Sequence, residues 1–383
     1  MTAALFIVGV ACLLLAMHPF VTYPASLLVL RAVRGRRGRQ RDNARRPLSF
    51  AICMCAYNEE AVIEAKAQNL LKLKERYPDL SLHIYVDASS DRTAALLEPY
   101  RDVIDVQVAA QRHGKTHGMN LLATRAAADL LVFTDANVML DLNCIDDLTH
   151  HFADADVGCV CGNLNYTNGT ASVTASSGSL YWRFEEAVKR LETDTGSALC
   201  ADGSMFAIRR ELRRTPPDHI IDDMFVSLMV LVDGFRVVQA RDVRAYEASA
   251  TDSGEEFGRK VRIACQAFNV HRLLWPHLRQ LDALTRYKYV SHKLLRWLGL
   301  YFLSIAGTAF VAAAAFAGYG AWAFTLLVLL LIAAVLCHRW SIKPIAQLVD
   351  LLIAIAGAGV GVWRSVRGEK FQTWTPAGSV RGA

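Results

Sequence analysis

The sequence lacks the short motifs by which several common protein classes are recognised. It contains no Gly-x-Gly-x-x-Gly fingerprint and no P-loop, which argues against Rossmann dinucleotide binding and P-loop phosphate binding. It has no pair of Cys-x-x-Cys motifs at zinc-site spacing. Its 24 glycines and 10 prolines show no period, which excludes collagen-like and low-complexity chains. No repeat of solenoid length is present, so a repeat architecture is excluded as well.

The chain is also poor in charge. Charged residues make up 20% of its 383 positions, against roughly 25% in an ordinary soluble domain. Hydrophobic residues make up 53%, and the mean hydropathy is +0.22, so neither a wholly soluble nor a disordered protein is expected. The net charge of +6 arises largely from eight arginines between Arg31 and Arg46. Because they directly follow an apolar run, they indicate a cytoplasmic membrane flank, and no nucleic-acid partner is predicted.

Nine cysteines are present, an odd number, and they lie among apolar neighbours. These features favour reduced, buried thiols in a reducing compartment over a disulfide framework.

The first 30 residues predict a transmembrane helix. Residues 4–30 contain no Asp, Glu, Lys or Arg, and a bilayer core requires about 20 apolar residues. The basic residues follow the run, whereas those of a cleaved signal peptide precede it. We therefore expect an uncleaved helix with its start outside, kinked at Pro19 and Pro24, followed by a basic juxtamembrane linker over 31–46.

The C-terminal part predicts further membrane contacts. Residues 297–366 contain three apolar stretches, expected as helices over about 297–318, 321–337 and 344–363. Four crossings in total place both termini outside, with a polar tail over 367–383 on the outer face. A re-entrant or interfacial last segment is the alternative. Residues 277–296 mix Leu and Tyr with Arg and Lys, which favours an amphipathic interfacial helix over an ordinary domain helix.

Residues 47–276 predict one α/β domain. Short apolar runs alternate with helical patterns along this segment, which is typical of a mostly parallel sheet with helices on both faces. Asn58 is expected to cap the first of these helices. The expected strands are 48–56, 82–87, 103–109 and 129–135, and the expected helices are 58–77, 91–100 and 115–128.

Polar groups follow these strands at the edge where such sheets bind ligands. Lys115 begins the third helix. Asp135 and Asn137 follow the fourth strand, and their oxygens at i and i+2 suit Mg²⁺ or Mn²⁺ bridging two phosphates.

Together these residues resemble the membrane-bound family 2 glycosyltransferases over about residues 48–296. The resemblance implies a GT-A domain, which binds a nucleotide sugar on a mostly parallel sheet, on the cytoplasmic side of a transmembrane helical platform. It implies Mg²⁺ or Mn²⁺ on Asp135 and Asn137. It further implies a nucleotide-binding set of Ala56, Tyr57, Asn58, Glu59, Asp87, Lys115, Asp135 and Arg262. Within this set, Asp87 would contact uracil or ribose.

The same resemblance implies the catalytic and acceptor residues. Asp222 and Asp223 resemble the family's acidic pair, with Asp223 as the base and Asp222 orienting it or capping a helix. Because an Asp ordinarily titrates near 3.9, Asp223 is expected to be ionised at neutral pH. Asp202 and Gly203 would line the acceptor site, and Trp182 would stack on a sugar or anchor at the membrane.

The function predicted is inverting, metal-dependent transfer from a nucleotide sugar, expected to be a UDP-sugar. The acceptor would be a lipid-linked or growing glycan at a cell membrane in which the protein is multi-pass. A processive synthase of the chitin, hyaluronan or poly-N-acetylglucosamine type is the alternative. Residues 259–263 replace the family's Gln-x-x-Arg-Trp with Arg-Lys-Val-Arg-Ile, which favours single transfer. A non-catalytic subunit of a synthase complex is the alternative of another class, and polysaccharide-export partners are left open.

Overall fold

The structure is a computed structural model that describes residues 1–35, 47–167, 173–248, 253–340, 342 and 345–373. The chain divides into two compact units. The helical unit comprises Met1–Val29, Ser253–Phe268 and Arg286–Glu369, and the sheet unit comprises Leu30–Asp252, Asn269–Thr285 and Lys370–Ala383. Most of the predicted basic linker, residues 36–46, and of the tail, residues 374–383, lies outside the described residues.

The sheet unit is built on one mixed sheet. Its strands are β1 Phe50–Ala56, β2 Ser81–Val86, β3 Asp105–Val108, β4 Leu130–Asp135, β5 Met139–Leu140, β6 Val157–Tyr166, β7 Met205–Arg209 and β8 Arg236–Glu247. Their order is β3-β2-β1-β4-β7-β6-β8-β5. The first four strands in this order are parallel, β7 is antiparallel to both its neighbours, and β8 is parallel to β6. The predicted parallel sheet is therefore present over β1 to β4.

The described residues contain fourteen α-helices. They are α1 Thr2–Met17, α2 Thr22–Arg34, α3 Ile63–Arg76, α4 Thr93–Leu97, α5 Lys115–Arg125, α6 Cys144–Phe152, α7 Val173–Asp194, α8 Asp222–Val232, α9 Ser253–Leu278, α10 Ala283–Tyr289, α11 Leu295–Trp297, α12 Gly299–Phe316, α13 Gly320–Arg339 and α14 Ile345–Val366.

The core of the sheet unit lies between the sheet and its helices. Ile52 and Met54 on β1 and Leu70 on α3 are among its fully buried side chains. Because β1, β2 and β4 run parallel, their carboxyl ends meet at one edge, and the polar residues that follow them are placed together.

Three helices of the helical unit are long and apolar enough to cross a membrane, namely α12, α13 and α14. These agree with the three predicted stretches. The predicted first span is instead two helices, α1 and α2, bent by 59° at the break around Pro19. Pro19 lacks the backbone N–H that would donate a hydrogen bond and continue α1. Pro24 lies in the first turn of α2, where a backbone N–H has no helical acceptor, so no hydrogen bond is lost there.

The segment 277–296 is not the single helix that its composition predicts. It holds the end of α9, a turn, α10, a π-helical turn over Val290–Leu294 and the start of α11. One of its two lysines and one of its two histidines are buried, since Lys288 is 1% exposed and His292 is fully buried.

The segment after α14 returns to the sheet unit. The Gln372 side chain donates a 2.9 Å hydrogen bond to the His113 carbonyl. A Cβ on Gly114 would overlap the Gln372 carbonyl oxygen, so the two backbones are in direct contact. This contact contradicts the predicted tail on the outer face, because residues 370–373 and the sheet must lie on the same side of any membrane.

All nine cysteines are free; six are buried, as predicted, and three are half-buried, namely Cys12, Cys55 and Cys337. Burial raises the pKa of the Cys53 thiol to about 12, so this thiol is protonated and unreactive at neutral pH.

Candidate active site

Four polar groups from distant parts of the sequence meet beyond the carboxyl end of β4. The Lys115 ammonium, at the start of α5, lies 2.5 Å from the Asp135 carboxylate at the end of β4. It also donates to the Gly203 carbonyl at 3.5 Å. A Cβ on Gly203 would lie 3.0 Å from the Asp223 carboxylate and 3.3 Å from the Lys115 ammonium. Lys115, Asp135, Gly203 and Asp223 therefore form one cluster, which we call the charged cluster.

Local contacts explain why these residues meet. The antiparallel pairing of β4 with β7 carries the segment before β7 to Asp135, where the Thr134 hydroxyl donates to the Ser204 carbonyl at 3.0 Å. The Thr116 hydroxyl donates to the Ile220 carbonyl at 2.7 Å, which ties the start of α5 to the start of α8. Lys115 and Asp223 are each one to three residues from that contact, so it holds them together.

Asp223 has a strongly altered acidity. Removal from water, together with the neighbouring charges of Asp222 and Asp202, raises its pKa to about 7. The Lys115 charge and the Met224 backbone N–H, which donates to Asp223 at 2.6 Å, oppose this rise without cancelling it. With a pKa of about 7, Asp223 is only partly ionised at neutral pH, whereas the ordinary value of an exposed, isolated carboxyl predicts full ionisation.

Lys115 stays charged in this setting. Burial alone would lower the pKa of its ammonium, but the carboxylates of Asp135, Asp222 and Asp223 raise it above the ordinary value. The charged cluster therefore holds a permanent cation beside the Asp135 and Asp223 carboxyl groups.

The turn after β4 is braced from both sides. Lys66, fully buried on α3, donates to the Thr134 hydroxyl at 3.3 Å and to the Val138 carbonyl. Asn137 donates from its amide nitrogen to the Glu247 carboxylate at 2.8 Å. Both contacts fix the backbone and side chains that present Asp135 and Asn137.

The donor set of this turn fits a hard divalent cation. The Asp135 side chain is 38% exposed, so a cation can reach its carboxylate. No group of three His, Cys, Asp or Glu side chains close enough to hold a metal occurs in the described part of the chain. Mg²⁺ is typically held by one or two carboxylates and by phosphates of the substrate. Asp135 and the Asn137 oxygen match that pattern, with the remaining ligands left to phosphate and water.

A second group of side chains lies beside the ends of β1 and β2. The Arg112 guanidinium lies 3.5 Å from the centroid of the Tyr57 ring. Asp87 is 2% exposed, and its two oxygens accept the backbone N–H groups of His113 and Gly114 at 2.7 and 2.9 Å. Asp87 therefore fixes the turn from which Lys115 projects, and its predicted contact with uracil or ribose stays a prediction.

Asn58 does not cap α3, contrary to expectation. That helix begins five residues later, at Ile63, and Asn58 adopts a left-handed backbone with φ of 51°. Its side-chain oxygen accepts the Ser90 N–H at 2.8 Å, and its own N–H donates to Ser89 at 3.0 Å. Asn58 thus joins the loops that follow β1 and β2.

The other two members of this predicted set lie nearby. Ala56 ends β1, and its carbonyl accepts the Asp87 N–H at 2.9 Å. Glu59 is 5% exposed, and its N–H donates to the Thr93 hydroxyl at 2.8 Å.

The predicted acceptor residues lie next to or near the charged cluster in the sheet unit. The Asp202 carboxylate accepts the Ser204 N–H at 3.0 Å and contributes to the raised pKa of Asp223. Trp182 on α7 packs against the core of the sheet, and its indole N–H donates to the Leu164 carbonyl at 3.3 Å. These contacts account for the indole by packing, and stacking on a sugar stays a prediction.

Arg262 belongs to a different unit from the charged cluster. It is half-buried on the part of α9 that belongs to the helical unit, whereas the charged cluster belongs to the sheet unit. Its predicted role toward the diphosphate stays a prediction.

Sequence reasoning missed Lys66, Arg112 and Glu247. Lys66 had a visible signal, because it falls in the apolar stripe of α3 with Ile63, Ala67 and Leu70, where a lysine must find buried acceptors. Glu247 and Arg112 had none, because their partners Asn137 and Tyr57 are 110 and 55 positions away in the chain.

Comparisons with known proteins identify the family and the fold of the chain. A family model described as "Glycosyltransferase like family 2" matches residues 47–266, more than half of the chain. An N-acetylglucosaminyltransferase of Rhizobium leguminosarum bv. viciae is 20% identical over 251 residues, which cover 61% of this chain and 59% of the relative. The match therefore spans less than two thirds of that relative's length.

A solved structure shows the same fold. The mannosyltransferase PcManGT from Pyrobaculum calidifontis, solved with GDP-Man and Mn²⁺, superimposes with a TM-score of 0.71 over 95% of this chain and 99% of its own. Its sequence identity is 20%, so the likeness establishes the fold alone. Glucosyl-3-phosphoglycerate synthase from Mycobacterium tuberculosis, solved with Mn²⁺, UDP and its product, matches 68% of this chain and 85% of its own at 18% identity, with a TM-score of 0.41.

Proposed function

This chain belongs to the glycosyltransferase-like family 2 and is a glycosyltransferase that uses nucleotide sugars, and we propose that it performs inverting, metal-dependent transfer at a membrane. The single observation that carries this proposal is the charged cluster. It brings a fixed cation, a metal-type carboxylate and a carboxyl with a pKa of about 7 together at Gly203.

The donor side of the site is the Lys115–Asp135 side. Asp135 and Asn137 would hold Mg²⁺ or Mn²⁺, which when bound supplies positive charge against the diphosphate that leaves. Lys115 adds a second fixed positive charge for the same phosphates. The loops that carry Ala56, Tyr57, Asn58, Glu59 and Asp87 would frame the nucleoside, for which a uridine nucleotide is our proposed donor. Arg262 remains the proposed partner of the diphosphate.

The acceptor side is the Asp223 side. The Asp223 carboxylate removes the proton of an acceptor hydroxyl as its oxygen bonds to the anomeric carbon of the sugar. The bond from that carbon to the phosphate oxygen breaks on the opposite face, and its electron pair leaves with the nucleoside diphosphate. Asp223 then returns its proton to solvent. A base with a pKa near the working pH suits this task, since such a group takes up and loses protons readily.

The acidity of Asp223 also favours a hydroxyl over a phosphate as nucleophile. A phosphate monoester is already an anion at neutral pH and requires no base, and three neighbouring carboxyl groups, Asp202, Asp222 and Asp223, would repel it. We therefore propose a saccharide hydroxyl, on a lipid-linked or growing glycan, as the acceptor group. Asp202, Gly203 and Trp182 would line its approach.

The membrane placement belongs to the same proposal. The three apolar helices α12, α13 and α14 would anchor the enzyme in a cell membrane with its sheet unit in the cytoplasm. Single transfer remains our preferred mode, since Arg259 and Ile263 stand where processive relatives have Gln and Trp. A processive synthase is the competing mode.

The experiment uses membranes that contain the full chain, Mn²⁺, and a panel of radiolabelled UDP-sugars with GDP-mannose as an additional donor. One UDP-sugar is expected to be incorporated, and organic-phase label would indicate single transfer to a lipid-linked acceptor. Large water-borne product would indicate processive synthesis. Incorporation from GDP-mannose alone would contradict the uridine donor, and equal incorporation by membranes carrying Asp135→Ala would contradict the metal site.

A further inference from the structure

The turn that would hold the metal is one negative charge short of a two-acid site. Asp135 is a carboxylate, but Asn137 is a neutral amide at the second ligand position. An amide oxygen can bind a hard cation, but it brings no net charge, and the two ends of an amide differ in sign. A site of this kind works only if the oxygen, and not the NH₂ group, faces the cation.

Glu247 supplies both the missing negative charge and a partner that fixes the orientation of the Asn137 amide. Its carboxylate accepts the Asn137 amide N–H at 2.8 Å. A carboxylate accepts and does not donate, so the nitrogen end of the amide must face Glu247 and the oxygen end is turned away from it. Its negative charge lies one side chain from the Asn137 ligand position, where it also attracts a cation.

The sheet holds Glu247 in place. It is the last residue of β8, where it pairs with Tyr166 of β6, and its carbonyl accepts the Thr167 N–H at 2.9 Å. The preceding residue, Tyr246, pairs with Met139 of β5, two positions after Asn137. The pairing of β8 with β5 therefore brings the Glu247 carboxylate to the turn, and the half-buried side chain does not depend on a loop for its position.

We propose that Glu247 is the positioning residue of the metal site, which orients the Asn137 oxygen toward the cation and restores the second negative charge. The inference rests on the proposed function, because that function places the cation at Asp135 and Asn137. Outer-shell partners of metal ligands typically contribute about 10–100-fold to metal affinity.

The test measures Mn²⁺ affinity of the purified full chain in detergent by electron paramagnetic resonance of free Mn²⁺, with and without UDP. Glu247→Gln is expected to weaken Mn²⁺ binding by about 10–100-fold, because glutamine carries no charge and can pair with either end of the amide. The double variant Asn137→Asp with Glu247→Gln exchanges acid and amide across the same hydrogen bond. It is expected to restore an affinity within about threefold of the wild type.

The matched control is Asp242→Asn, which removes a different carboxylate from β8. Asp242 pairs with His151 at 2.7 Å, and its substitution is expected to leave Mn²⁺ affinity unchanged. Unchanged affinity in Glu247→Gln, no rescue in the double variant, or an equal loss in Asp242→Asn would each overturn the inference. If Glu247→Gln does not purify as folded protein, the Mn²⁺ affinity of the double variant tests the inference, and an affinity well below that of the wild type would overturn it.

Sugar transfer by the same preparations separates the two proposals. A wild type that binds Mn²⁺ but transfers no sugar would remove the proposed function and leave the role of Glu247 standing. Intact transfer with an unchanged Mn²⁺ affinity in Glu247→Gln would remove only the role of Glu247.

Discussion

At the scale of single residues, the acidity of Asp223 sets how the enzyme responds to pH. The base must be ionised to accept a proton, and burial with Asp222 and Asp202 raises its pKa to about 7. We predict that kcat/KM falls about tenfold for each pH unit below 7, because this parameter reports ionisations of the free enzyme. Initial rates between pH 5 and 9 at constant ionic strength check this. A rate that stays level down to pH 5 would contradict it.

The same residue is predicted to lower stability at alkaline pH. Because the folded pKa of Asp223 lies above its ordinary value near 3.9, the folded state binds the extra proton, and stability is lost as pH rises toward 7. Above that pH the loss is complete. Asp223→Asn carries no such charge, so it should raise the melting temperature at pH 8.5 and raise it less at pH 5. Thermal unfolding of both proteins in detergent measures this, and an equal difference at both pH values would count against it.

The sequence indicated which residues meet at the edge of the sheet, but it did not indicate the acidity that those residues acquire there. Asp135 ends a strand and Lys115 begins a helix, so a parallel sheet brings these two to one edge. Asp202 and Asp223 were predicted from the family resemblance, and Asp202 reaches that edge because β7, which follows it, runs antiparallel to β4. The acidity of Asp223 depends on Asp202, 21 positions away, and on the depth of burial, neither of which a linear pattern contains. The same holds for Glu247, whose contact with Asn137 exists only because β8 pairs with β5.

At the scale of elements, strands were predicted better than helix boundaries. The strands β1, β2 and β4 are short apolar runs whose burial alone defines them, and the structure places them within two residues of expectation. The start of α3 was predicted five residues early, because Asn58 bonds to Ser89 and Ser90 and not to its own helix. The mixed composition of residues 277–296 indicated a helix, but not the turn and π-helical bonds that interrupt it.

Close helix packing yields a prediction at this scale. Within the helical unit, a Cβ on Gly361 of α14 would lie 2.5 Å from the Val261 carbonyl oxygen of α9 and 2.8 Å from the Cys265 nitrogen. Backbone atoms cannot move aside as a flexible side chain can, so Gly361→Ala should separate the two helices. Overpacking of this kind costs about 1–3 kcal/mol, and we expect a melting temperature several degrees below that of the wild type.

Gly307→Ala is the matched control for that substitution. Gly307 lies on α12, where a Cβ would meet no atom within 4 Å apart from its own helix backbone and chain neighbours, and alanine favours a helix by about 0.5–1 kcal/mol over glycine. Its melting temperature should equal or exceed that of the wild type. Equal melting temperatures for Gly361→Ala and the wild type would show that the α9–α14 contact is not close-packed.

At the scale of the whole molecule, the course of the chain through a membrane follows from two contacts. Gln372 contacts His113, so the chain ends α14 on the side of the sheet from which it entered the apolar helices. The chain must therefore cross the membrane an even number of times between the sheet unit and Gln372. Gly357 and Gly361 pack α14 against residues 257–265 of α9, where Arg259, Lys260 and Arg262 are too polar for a hydrocarbon core. We predict that α12 and α13 cross the membrane and that α14 lies along its surface.

Single cysteines and a membrane-impermeant maleimide on oriented sealed vesicles test this topology. Asp79→Cys on the sheet unit and Thr373→Cys after α14 should be labelled from the same side. Tyr319→Cys, between α12 and α13 and 65% exposed, should be labelled from the other side. The chain without an added cysteine gives the background. Labelling of Thr373→Cys together with Tyr319→Cys would mean that α14 crosses.

The most direct test of catalysis by the charged cluster is release of nucleoside diphosphate by the purified full chain. The assay contains Mn²⁺, the incorporated nucleotide sugar and its acceptor, and it compares the wild type with Asp223→Asn at pH 8. We predict one nucleoside diphosphate released for each sugar transferred by the wild type, and a rate about 10²–10⁴-fold lower in Asp223→Asn. Transfer at the wild-type rate by a folded Asp223→Asn protein would contradict the account, because no acidic base would then be required.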